Sequence, residues 1–206
     1  MIKGLLLGML MLLTAGCTPL FESHAPEQEA GPAVMTLTPV DLSVGKGAKF
    51  RPFLGVMSGA FKLRYEGNKP HARLDIDIWK DGKKAASSGS IGDLFYSSDG
   101  SGGREIEVII AVDTVPVEGK EELRIVKVNT IDDTGSSLMT FTAKWDKRLT
   151  SRVLLQTAER ITFKADEDVH VWGIQATSTG MIRTADLSEA SLSGIEWGLI
   201  FTLRFQ

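Results

Sequence analysis

Residues 195–206 alternate without a break. Ile195, Trp197, Leu199, Phe201, Leu203 and Phe205 fall on one side of an extended chain, and Glu196, Gly198, Ile200, Thr202, Arg204 and Gln206 on the other. A helix would bring apolar residues back every three or four positions, so period two over this length specifies a half-buried strand. The pattern recurs upstream. Phe61, Leu63 and Tyr65 oppose Lys62, Arg64 and Glu66; Leu74, Ile76 and Ile78 oppose Arg73, Asp75, Asp77 and Trp79. Ile106, Val108 and Ile110 make a third apolar face, and Met139, Phe141, Ala143 and Trp145 a fourth. Turn-forming residues stand between these runs: Gly67-Asn68-Lys69-Pro70, Asp81-Gly82 and Asp132-Asp133-Thr134-Gly135. Asp-Gly supplies the positive φ angles that a two-residue hairpin needs. That turn sets Lys80 against Lys83, Trp79 against Lys84 and Asp77 against Ala86. Further strands are expected over 50–57, 123–129, 152–157, 161–164 and 169–176, with Pro52 placing the first at an edge or bulge. One short helix is expected from Thr184 through Leu192. Many short strands with turns between them predict an all-β fold, an antiparallel β-sandwich or small β-barrel-like domain, over residues 40–206.

The amino terminus obeys different chemistry. Lys3 precedes an uncharged apolar run from Gly4 to Leu13, then small residues Thr14-Ala15-Gly16, then Cys17. A helix across a bilayer needs about 20 apolar residues, and this run is shorter. A positive start, an apolar middle and small residues at the end are the layout of an export signal. The stretch resembles the signal peptide and lipobox of bacterial lipoproteins. The resemblance implies a leader over residues 1–16, removed after Gly16, and a lipid anchor on the Cys17 thiol. It implies a cell-membrane location on the extracytoplasmic side. In a two-membrane cell, Thr18 rather than Asp after the cysteine favours the outer membrane. Cys17 is the one cysteine of the chain, whereas exported domains use cysteines in pairs for disulfides. Residues 17–39 carry Pro19, Pro26, Pro32 and Pro39 without apolar periodicity, which predicts a lipidated flexible tether.

Losing Lys3 with the leader takes the formal charge from −3 to −4. An acidic chain without a basic stripe argues against nucleic acid as a partner. It also argues against recruitment to acidic lipid by overall charge. No glycine-rich phosphate loop follows a strand, so no nucleotide cofactor is expected.

Candidate chemistry is sparse. Three histidines, His24, His71 and His170, are too few for a rich metal site. Asp133-Thr134-Gly135-Ser136 resembles the active-site motif of aspartic proteases, but those enzymes pair two such carboxylates, and one copy reads as a turn. Asp166, Glu167 and Asp168, with Asp99 in a glycine-rich loop, offer oxygen ligands without calcium-loop spacing. The best exposed constellation is Asp75, Asp77 and Trp79, with Lys84 across the hairpin. An indole beside carboxylates can stack a sugar ring while the oxygens take its hydroxyls. The plainer reading is that Lys84 satisfies Asp77 and that the face is simply solvated, or is packed by a neighbouring loop or a second sheet that covers Trp79. No catalytic residues, metal or cofactor are assigned. The expected function is a membrane-anchored, non-catalytic module binding an envelope protein or a glycan. The alternatives are a cell-envelope hydrolase and a small outer-membrane β-barrel.

Overall fold

The structure, a computed structural model, describes residues 33–96, 104–115, 118, 121–183 and 186–206. The leader, Cys17, the tether as far as residue 32, Asp99 and Thr184 lie outside the described residues.

Two antiparallel sheets pack face to face. The first holds six strands: β1 (Val34–Val40), β2 (Ser58–Glu66), β5 (Glu105–Val115), β6 (Glu121–Ile131), β7 (Ser136–Asp146) and β9 (Ile161–Lys164), in the order β7-β6-β5-β2-β1-β9. The second holds five: β3 (Ala72–Lys80), β4 (Lys83–Ile91), β8 (Ser151–Gln156), β10 (Val169–Thr177) and β11 (Trp197–Phe205), in the order β4-β3-β11-β10-β8. This is the expected β-sandwich. Both sheets end in open edges, which a transmembrane barrel cannot have.

The alternating faces meet between the sheets. Phe61, Leu63, Ile76, Val108, Trp145, Trp197, Leu199 and Phe201 are buried there, and Phe141 packs partly buried against them. Trp145 lies against Trp197 with ring centroids 4.3 Å apart, and Trp172 meets Phe201 edge-on at 5.1 Å. Such pairs add about 0.5–1.5 kcal/mol each beyond the area they bury.

Four local expectations are corrected. The last residues of the expected tether form β1, which sits between β2 and β9 with Leu37 opposite both Leu63 and Ile161. Pro39 is tolerated near the end of β1 because β9 pairs only with Val34–Leu37, so the proline forgoes one donor beyond that pairing. Residues 50–57 are not a strand: a 3-10 turn (Gly45–Phe50) runs into α1 (Arg51–Leu54). Pro52 stands in the first turn of that helix, where its missing N–H is tolerated, and Gly55 ends it at φ 75°. The expected helix before residue 192 is the single turn α2 (Glu189–Leu192), with the Ser191 N–H donating to Ser188 Oγ. Finally, the Asp81-Gly82 turn keeps Lys80 opposite Lys83 and Trp79 opposite Lys84, but a bulge follows and sets Asp77 opposite Ser87.

Candidate functional site

The expected face, Asp75, Asp77 and Trp79 on β3 with Lys84 on β4, is not open. Residues 186–196 fold back over the outer side of the second sheet. Leu192 and Ile195 pack there against Leu155 and Ile200, and Trp79, Val153 and Leu187 join this small second core. The same return lays the backbone of 193–196 on the hairpin turn, where the Asp81 and Gly82 N–H groups donate to the Glu196 and Ile195 carbonyls at 3.0 and 2.9 Å. Trp79 meets His170 edge-on at 5.5 Å.

The carboxylates beside it are taken by cations. Asp77 is 1% exposed, and its Oδ2 lies 2.8 Å from Lys84 Nζ and 3.8 Å from Arg204 Nη2. Asp75 Oδ2 lies 2.7 Å from Arg204 Nε, while Oδ1 accepts from Ser90 Oγ at 2.7 Å and lies 3.2 Å from Arg73 Nε. Arg204 also reaches Asp168 at 2.6 Å. Arg204 is thus the hub of three aspartates, two on β3 and one in the turn before β10. A buried carboxylate without its cation would be strongly unfavourable, so this arrangement holds β3, β4 and β11 in register; Asp77 Oδ1 has no hydrogen-bond partner, but burial withholds it from a sugar. Burial pushes His170 below its ordinary value; Glu189, Asp168 and Asp77 favour its protonation and Arg204 opposes it. Its Nδ1 shares a 2.9 Å hydrogen bond with Thr202 Oγ1.

The Asp133-Thr134-Gly135-Ser136 motif has a structural role. Asp132 Oδ1 accepts from the Thr134 and Gly135 N–H groups and from Thr134 Oγ1, which makes 132–135 a hydrogen-bonded hairpin turn. These bonds hold the Asp132 carboxyl below its usual range. Among the described residues no group of three or more His, Cys, Asp or Glu is placed to hold a metal ion. No described helix is long and apolar enough to cross a membrane.

A different surface is concave and exposes apolar side chains. The outer face of the first sheet carries rows of side chains set by register. One row is Val40, Ala60, Ile109, Asn129 and Leu138, crossing β1, β2, β5, β6 and β7. The next is Thr38, Lys62, Glu107, Ile131 and Ser136. Residues 41–57, which join β1 to β2, leave the sheet and stand beside these rows. Between them lies a cleft of about 1160 Å³, with Ile109, Ile131 and Leu138 on its floor and Val44, Phe50 and Phe53 on its other wall. Both nearby lysines are engaged: Lys62 Nζ lies 2.9 Å from Glu105 and Lys127 Nζ 2.7 Å from Asp113. With both lysines paired, the cleft presents mainly apolar surface. Phe53 is 82% exposed and Leu138 64%. Exposed apolar residues gathered on one face mark an interaction site, whereas scattered ones do not.

Sequence reasoning missed this site because its two walls obey different periodicities. The floor residues sit on the outward positions of strands, where one apolar residue per strand carries no signal. The wall comes from a stretch read as a strand. The one available signal was Pro52 followed by Gly55, which suits a short helix better than a strand. No family model, curated protein or solved structure matches this chain.

Proposed function

We propose that the protein is an extracytoplasmic lipoprotein, anchored through Cys17, whose β domain binds the apolar chain of an amphiphile in the cleft between residues 41–57 and the outer face of the first sheet. The observation that carries this reading is the cleft itself: large, open, floored by Leu138 and walled by Phe50 and Phe53, with no covering layer among the described residues. Ligand sites are concave and mostly apolar, with few polar groups. A glycan would need free hydrogen-bonding groups beside an aromatic ring, and the face that offered them is occupied by ion pairs and the second core.

A protein partner is the second reading, favoured by β7. It is an edge strand of 11 residues, whereas β9 has 4 residues, β8 has 6 and β4 carries two irregularities. Short or bulged edges resist strand addition and a long regular edge invites it.

The test uses a hydrophobic fluorescent probe displaced by a long-chain amphiphile below its micelle-forming concentration. Leu138→Asp places a charge on the floor at an exposed position, so folding is expected to be unaffected while probe affinity falls roughly tenfold, the equivalent of about 1.4 kcal/mol. Unchanged affinity in that variant contradicts the site. The anchor is tested separately by replacing Cys17 with Ser and following partition: the variant is expected to leave the membrane fraction or remain unprocessed. A variant still cleaved after Gly16 and still membrane-bound contradicts the anchor.

A further inference from the structure

The stretch that walls the cleft also has an outward side. Within residues 41–57 the chain turns through two short helical segments, and no part of it is a strand. Short helices that pack an apolar stripe inward should leave polar residues outside. Here apolar side chains are exposed beside the polar ones: Val44, Phe50 and Phe53 at the rim of the cleft and Val56 outside its lining, the last two at 82% and 78%. The charge of this stretch also departs from that of the chain. Its sequence holds Lys46, Lys49 and Arg51 against one acid, Asp41, in a protein of net charge −3. Asp41 is turned to internal use, accepting from the Ser43 N–H at 2.7 Å. Lys49 and Arg51 are exposed, and Lys49 Nζ lies 5.0 Å from the Phe50 ring centroid.

Cations interleaved with exposed aromatic and aliphatic side chains are the composition of a segment that lies in a bilayer interface. The rings enter the acyl boundary and the cations meet anionic headgroups. We propose that residues 44–56 form a second membrane contact, with Phe53 and Val56 inserted at the surface of an anionic bilayer and Lys49 and Arg51 at its headgroups. Overall acidity does not oppose this, because screening confines the relevant field to about 8–10 Å. Reach does not oppose it either. The segment lies at the end of β1 opposite to Val34, where the chain enters the sheet. A chain from residue 17 to 33 can span about 50 Å, more than the roughly 37 Å of an 11-residue strand. The anchor and this contact would then hold the domain at two points, with the mouth of the cleft at the lipid surface. The inference does not depend on what the cleft binds.

The test uses the full chain, purified from the membranes of an expressing cell and reconstituted into vesicles. Val56→Cys carries an environment-sensitive fluorophore, and Lys69→Cys, on the exposed β2–β3 turn, is the control. The parent chain, labelled in parallel, gives the background from Cys17. Vesicles are pure phosphatidylcholine or a mixture with phosphatidylglycerol. In the anionic vesicles the label at 56 is expected to shift to the blue and to be quenched by nitroxide-bearing lipid, with the label at 69 unchanged. Lys49→Gln with Arg51→Gln is expected to weaken docking by roughly 30-fold, from about fivefold per basic residue. A label at 56 that stays in water on both vesicle types overturns the proposal and leaves this face to a protein. So does a shift at 69 without one at 56. Undiminished probe binding in the cleft alongside either result would show that the docking inference had failed and the ligand site had not.

Discussion

His170 shows what a single side chain contributes when its setting is known. It lies under Trp79, shares a hydrogen bond with Thr202, and is pushed by burial toward the neutral form. Its folded value lies below its unfolded value of about 6.5. Between the two values the unfolded chain binds the proton more readily than the folded one, so stability rises with pH across that window. The contribution of His170 is therefore fully present above about pH 6.5 and is lost as pH falls toward the folded value. Thermal melts of wild type and His170→Gln at pH 8 and pH 5 check this. Wild type is expected to lose more stability than the variant over that interval; equal losses would show that His170 is not responsible. Arg204 belongs to the same scale. In the sequence it is one polar residue on the outward side of the last strand. Only the pairing of β11 with β3 sets Thr202 opposite Asp75 and Ile200 opposite Asp77, bringing Arg204 within reach of both carboxylates. The expectation that Lys84 neutralises Asp77 was legible, because a hairpin fixes its own register. The role of Arg204 was not, because it depends on which distant strand lies alongside.

The same distinction governs the elements. Strands with strict alternation were legible: β3 and β11 fall on the alternating runs, and the short β9 matches residue for residue. Gly82 shows why the hairpin tolerates no other residue at its turn. Its φ is 71°, and a Cβ there would stand 1.9 Å from the Ser193 carbonyl oxygen. The turn is thus shaped both by its own backbone and by the return of residues 193–196 over it. The second half of that reason has no local signature. β1 was missed because four prolines between residues 18 and 39 read as a continuous tether, although Met35 and Leu37 are fully buried. The stretch 50–57 was missed because a short apolar run fits a strand or a helix equally well. Both errors fall on the two segments that flank the cleft, which is why the cleft itself was not foreseen.

At the scale of the whole molecule, the two sides of the sandwich differ. The outer face of the second sheet is closed by residues 186–196 with their own small core and ion pairs. The outer face of the first sheet keeps apolar residues uncovered beneath an excursion that does not seal them. Among the described residues one face is covered and the other left open, and this asymmetry is the basis of the proposed ligand site. The measurement that tests it most directly is methyl and aromatic NMR of the protein during titration with a single-chain amphiphile below its micelle-forming concentration. The account predicts saturable shifts confined to Ile109, Ile131, Leu138, Val44, Phe50 and Phe53, with Trp79, Leu192 and Ile200 silent. Shifts centred on Trp79 and His170, or no saturable shifts at the cleft, would contradict it.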